Sequence, residues 1–290
     1  MKFSLAATSA LLLTTLATMS KADSYADAIA EWCDGLAITE PSDNTVATAG
    51  GVTKITATRV ADEKEKTLTG LDLYSVDANG DAKYIQNVWQ GNFTLNERAS
   101  ITDDIPADVA PGLYYYRAWI TNLMDGGEHG PDCIETSHTF KVTSGVHQNS
   151  DGISYYTESL DDITFFKPEH FRGCFGLKVA EPKKDHTYTV GEHVRITANR
   201  DKASQTATLT SIDLYKSTDG KNAQLVENAW TGKSRFTDSF TLKDHLNPAK
   251  KEDIDEKATY YYTLTVTSDK SKDEDCTFHS EGFKIKAKSQ

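Results

Sequence analysis

C-D-G-L-A-I-T-E-P, Cys33 to Pro41, returns as C-F-G-L-K-V-A-E-P, Cys174 to Pro182. The two copies stay in register for about 110 residues, which marks a tandem duplication. Each opens on one cysteine and reaches a second near its end, Cys133 and Cys276, at separations of 100 and 102 residues. Four cysteines allow three pairings. Only Cys33 with Cys133 and Cys174 with Cys276 gives each copy the same staple, and closing a loop of about 100 residues stabilises by roughly 4 to 5 kcal/mol on the chain-entropy account.

Working outward from the first cysteine, T-K-I-T-A-T-R (Thr53–Arg59) matches V-R-I-T-A-N-R (Val194–Arg200). Ile55 and Ala57, or Val194, Ile196 and Ala198, fall on one face of a strand, with Lys54 and Arg195 on the other. L-D-L-Y at Leu71 to Tyr74 and I-D-L-Y at Ile212 to Tyr215 each run into a turn, at Asn79-Gly80 and Asp219-Gly220. These residues tolerate positive φ cheaply and predict hairpins. A third pair of strands starts at Tyr114 and Tyr260, with Tyr114, Tyr116, Ala118 and Ile120 on one face and Tyr260, Tyr262, Leu264 and Val266 on its counterpart. Each copy closes on F-K-V or F-K-I. The only helical pattern is Y-A-D-A-I-A-E-W, Tyr25 to Trp32. Short strands at regular spacing, cut by turn residues, predict an all-β chain of two tandem immunoglobulin or fibronectin III-like β-sandwiches, each with one disulfide.

The first 22 residues have a basic start, an apolar stretch around Leu11 to Leu16 and small residues at Ser20 and Ala22. They predict a secretory signal peptide, and hence an oxidising destination where disulfides persist. The basic, polar end K-I-K-A-K-S-Q does not fit a glycolipid-anchor signal. The expected organisation is a signal peptide over 1–22, a first sandwich over 23–143, a connector over 144–173 and a second sandwich over 174–290. The connector carries Tyr155, Tyr156, Phe165 and Phe166, too apolar for a solvated tether, and is expected to pack between the domains. Residues 23–143 hold 20 acids against 8 bases, whereas 174–290 hold 18 against 19. An acidic first half repels phosphate, so nucleic acid is not an expected partner; no second apolar span exists, so no membrane span is expected.

Catalytic signatures are missing from the pattern. There is no G-x-S-x-G nucleophile turn, no H-E-x-x-H and no zinc-ligand spacing, so no catalytic residue, metal or cofactor is expected. A carboxylate pair drawn from distant strands, as in a polysaccharide hydrolase, leaves no local trace. D-A-N-G-D places Asp77, Asn79 and Asp81 at the first ligand positions of a calcium loop, but Val88 stands where the bidentate glutamate is required, and a hairpin turn is expected instead. Candidate ligand-binding residues are Asp125, Glu128, His129 and Asp132 in the glycine-rich loop D-G-G-E-H-G-P-D-C, absent from the second copy. Trp89 and Trp230 in the repeated W-x-G are two more: exposed, they would stack on a sugar ring; half-buried, they would close a core edge. Asn92 in N-F-T is an N-glycosylation acceptor.

I-T-E-P-S-D-N-T-V-A-T-A-G-G-V-T-K-I-T-A, Ile38 to Ala57, together with P-G-L-Y-Y-Y-R, resembles the KNH-type fungal cell-wall proteins of β-1,6-glucan assembly. Their immunoglobulin-like domain opens on an I-T-x-P segment, a glycine and an I-T-W strand, where this chain has Ala57 in place of the tryptophan. The resemblance implies a secreted, non-enzymatic protein, extracellular and associated with a cell surface or wall. Its partner would be wall polysaccharide or another surface protein. A secreted effector or antigen that binds host proteins is the alternative.

Overall fold

The computed structural model describes residues 24–124, 127–246, 254–268, 270 and 275–287. The expected signal peptide, Asp125 and the last three residues lie outside them. The described chain opens on helix α1 (Ser24–Cys33) and continues through β1 (Leu36–Glu40), β2 (Val46–Thr48), β3 (Val52–Arg59), β4 (Glu65–Val76), β5 (Ala82–Thr94), β6 (Arg98–Asp104), β7 (Gly112–Leu123), β8 (Cys133–Thr136) and β9 (Phe140–Thr143). β1-β3-β6 form one sheet; β2-β9-β7-β4-β5 form the other, with β8 also paired to β7. A short ribbon, β10 (Val146–Gln148) and β11 (Ser154–Tyr156), and one helical turn, α2 (Pro168–Phe171), lead to the second copy.

The second copy comprises β12 (Leu177–Glu181), β13 (Thr187–Thr189), β14 (His193–Arg200), β15 (Thr206–Ser217), β16 (Gln224–Arg235), β17 (Ser239–His245), β18 (Thr259–Ser268), β19 (Cys276–His279) and β20 (Lys284–Lys286). Its sheets, β12-β14-β17 and β16-β15-β18-β19, repeat the order of the first, and β13 lies parallel to β20 as β2 lies parallel to β9. The chain is therefore two tandem fibronectin III-like sandwiches.

Alternation explains why the sheets close face to face. Leu36, Ile38, Ile55 and Ala57 from one sheet meet Leu71, Leu73, Tyr116 and Ala118 from the other in a single buried cluster, and the second copy builds its own from Val194, Ile196, Ile212, Tyr262 and Leu264. Each sandwich is stapled as the repeat requires, Cys33 to Cys133 and Cys174 to Cys276, with Cα separations of 5.7 and 5.3 Å.

Polar atoms inside the cores are satisfied in the same way twice. Tyr114 and Tyr260 donate to the carbonyls of Ala110 and Asp255, a tie from a strand back to the loop before it. Ser137 and Ser280 accept from the amides of Tyr116 and Tyr262. The Tyr116 hydroxyl donates to Asp103 at 2.9 Å, and the Tyr262 hydroxyl to Asp244 at 2.6 Å. Burial pushes both carboxyls above their ordinary value, against the opposing pull of the tyrosine hydrogen bonds.

A carboxyl raised on folding holds its proton more tightly in the native state than in the unfolded chain. Its stabilising share is thus full below the ordinary value of 3.8 and is lost as pH rises through the higher folded value. Asp103→Asn and Asp244→Asn keep an acceptor for the tyrosine without a titrating group. Denaturation midpoints measured from pH 3 upward are expected to fall less steeply just above pH 3.8 in either variant than in the parent protein.

Candidate functional site

The structure explains the repeated W-x-G locally. Each indole lies across the glycine two residues on: a Cβ at Gly91 would meet the Trp89 ring at 2.8 Å, and one at Gly232 the Trp230 ring at 2.7 Å. Both tryptophans are half-buried and pack against their cores. Glu128, His129 and Asp132 are exposed in the β7–β8 loop, whose backbone is closed by Met124 and Glu128. An open depression of about 570 Å³ beside that loop is lined by Arg59, Asp62, Lys64, Glu97 and Met124. No group of three or more His, Cys, Asp or Glu among the described residues is arranged to hold a metal. The D-A-N-G-D segment is a hairpin turn in which the Asp77 carboxylate accepts the amides of Asn79 and Asp81. Asn92 is exposed on β5, an edge strand of its sheet.

Two features stood out of reach of the sequence. The first is the joint between the sandwiches, built on the outer face of β7. Tyr115 and Arg117 alternate with the core residues and should face solvent, yet both are buried. Phe175, from the start of the second copy, packs on Tyr115 with ring centroids 5.2 Å apart. The Arg117 guanidinium lies 4.0 Å from the centroid of the Tyr74 ring, a cation–π distance. It donates to the Tyr115 hydroxyl at 2.9 Å and pairs with Asp201 at 3.0 Å. Buried Gln205 donates to the Ser137 carbonyl, and the Gly176 amide to the Gly80 carbonyl. Gly80 needs its φ of +81°, and a Cβ there would meet His170 at 3.1 Å. Burial pushes the Tyr115 hydroxyl up to about 12, so it is a neutral donor and acceptor throughout the physiological range.

The second feature is the connector, and here the structure corrects the sequence. Phe166 is buried, the Lys141 ammonium sits over its ring, and Lys167 donates to the Ala78 carbonyl, so the later half of the connector is packed. Tyr155, Tyr156 and Phe165 are not packed between the domains. The tyrosines stand out on the β10–β11 ribbon, all six of whose residues are exposed. Ser144 fixes the base of that ribbon by donating its amide and hydroxyl to Glu158, while the Asn149 side chain closes the tip by accepting from the amides of Asp151 and Ile153. Val146 (52% exposed) and Tyr156 are directly opposite on one face, and His147 and Tyr155 (53%) on the other. Ile153 at the tip and Ile163 beyond the base are 62% and 67% exposed. A cleft of about 250 Å³ is lined by Ala78, Ala110, Tyr114, Phe165, Lys167 and His170.

No family model matches the chain, and no curated protein matches it, so the resemblance to KNH-type proteins gains no support from those comparisons. A solved structure of Clostridium thermocellum CbhA fibronectin(III)-like modules is similar at 14% identity over 87% of this chain and 94% of that one, with a TM-score of 0.22. The strand order, and not that likeness, carries the fold. Among the described residues no helix is long and apolar enough to cross a membrane.

Arg117→Ala removes one member of the joint's ion pair. A fully buried pair broken in this way costs about 3 to 5 kcal/mol, but the Asp201 side chain is 35% exposed and water screens what is left, so about 1 to 3 kcal/mol is expected. The disulfides and cores stay intact. Small-angle scattering and NMR relaxation are expected to show two halves reorienting independently in the variant and one rigid body in the parent.

Proposed function

We propose that the chain is an exported, non-enzymatic recognition protein of a cell surface or wall, whose contact element is the connector ribbon and whose partner is a protein. The observation that carries this is the distribution of exposed apolar groups. Of thirteen exposed large apolar side chains among the described residues, six lie between Val146 and Phe165. Clustered exposed apolar groups with a polar rim mark interaction surfaces, and tyrosines contribute large contact area at small entropic cost. Ser144 anchors the base of the ribbon on Glu158, and the later half of the connector is packed.

Export is supported by the leader-like first 22 residues and by two disulfides, which persist in oxidising compartments. Wall association rests on the resemblance of Ile38–Ala57. A protein partner is preferred over polysaccharide because Trp89 and Trp230 spend one face of each indole on the core and its neighbouring glycine. A non-enzymatic role agrees with the carboxyls that burial raises, those of Asp103 and Asp244, being engaged by tyrosines inside the cores.

The test is sedimentation with wall material, before and after protease treatment of the wall, and with insoluble glucan and chitin. Truncating interface tyrosines costs about 1 kcal/mol or more each. The variant Ile153→Ser, Tyr155→Ser, Tyr156→Ser is therefore expected to lose roughly tenfold or more of its retention, and protease-treated wall to retain neither protein. Equal retention of parent and variant on bare polymer would replace the protein partner by polysaccharide. Release of reducing sugar from any polymer would overturn the non-enzymatic assignment.

A further inference from the structure

We propose that His193 and His245 form a two-histidine site for a divalent transition-metal ion on the outer face of the second sandwich. They belong to β14 and β17, remote in sequence, and antiparallel pairing sets them directly opposite one another. The Leu246 amide donates to the Glu192 carbonyl at 3.1 Å, so the adjoining pair, His193 with His245, is of the non-hydrogen-bonded kind, in which facing side chains stand closest. Their ring centroids are 4.8 Å apart with planes inclined by 43°, and both residues are exposed.

The second observation is the hydrogen bond that fixes one ring. Nε2 of His245 lies 3.2 Å from the Gly191 carbonyl oxygen. A carbonyl only accepts, so Nε2 carries the hydrogen, and in the neutral ring Nδ1 keeps its lone pair for a ligand. Metal-ligating histidines are oriented in just this way by a carbonyl or carboxylate on the other nitrogen. An ion held at about 2.0 to 2.1 Å from each of two nitrogens needs them roughly 3 to 3.5 Å apart, within reach of rings at this centroid distance. At the corresponding register position of the first sandwich Val52 faces Asp104, so the pair is no part of the shared scaffold.

Two protein ligands leave the remaining positions to water, and imidazole nitrogen donors bind Cu²⁺ ahead of Ni²⁺ and Zn²⁺. Equilibrium dialysis of the untagged protein against Cu²⁺ and, separately, Zn²⁺ is expected to give one ion per chain, with Cu²⁺ the tighter. His193→Asn and His245→Asn should each weaken binding at least tenfold, while His279→Asn leaves it unchanged. Bound ion should raise the thermal midpoint of the parent protein alone. Electron paramagnetic resonance of the Cu²⁺ form reads the site without any variant and should show two coupled imidazole nitrogens. Undiminished binding in both variants, no saturable ion, or an oxygen-only copper spectrum would overturn the assignment.

Discussion

Both faces of β7 are buried, and the placement of everything else follows from that. Its inner face supplies Tyr114, Tyr116, Ala118 and Ile120 to the first core; its outer face supplies Tyr115 and Arg117 to the joint. A guanidinium withdrawn from water is costly unless its charge and donors are met. Here the Tyr115 hydroxyl and Asp201 accept from its Nη2 and the Tyr74 ring lies against its charge, while its buried Nε has no hydrogen-bond partner among the described residues; Asp201 comes from the other sandwich. Asp72, opposite Arg117 in its own domain, is engaged by Asn87 and Trp119, and the carboxylate that pairs with the arginine is Asp201 of the other sandwich.

The duplication separates scaffold from specialisation. Where both copies carry the same device, its role is structural: tryptophan over glycine, tyrosine hydroxyl to a loop carbonyl, tyrosine to a buried aspartate. Arg59 and Arg200 belong to the same set, since Arg59 donates to the Leu95 and Lys64 carbonyls and Arg200 to those of Thr237, Ser204 and Thr206. Where the copies part, one of them does something the other does not. Arg117 stands against Thr263, and Phe175 against Asp34. Lys66, fully buried and bound to the Trp32 carbonyl, Asn122 and Asp62, ties α1 to the first sandwich, and its counterpart is Ala207. The face of the second sandwich equivalent to the joint keeps its stacked tyrosines, Tyr215 and Tyr261 at 5.9 Å, without an arginine between them. The same strand geometry thus presents a closed joint in one copy and, in the other, a half-buried tyrosine pair beside His279.

The ribbon shows how local and global signals diverge. Tyr155 and Tyr156 have the composition of a core strand, and composition alone places them inside. They are outside because β10 and β11 pair only with each other, and a two-stranded ribbon has no third layer to cover either face. Phe166, ten residues on, has the same composition and is buried under Lys141. What separates them is where the chain turns, at Asn149 and again before Pro168.

The sequence by itself determined the duplicated unit, the pairing of its cysteines, the alternation that makes each copy a two-sheet sandwich, and the hairpins at Asn79-Gly80 and Asp219-Gly220. These are local or repeated signals: periodicity of two, turn residues that accept positive φ, and a motif stated twice. The tertiary structure alone decided that Tyr115 and Arg117 are buried and Tyr155 exposed, that Trp89 and Trp230 rest on glycines, and that His193 faces His245. Each of those depends on which distant segments come into register. No single stretch of chain encodes that register; it is fixed when long-range sheet pairing, and the packing of one sandwich on the next, satisfy both faces at once.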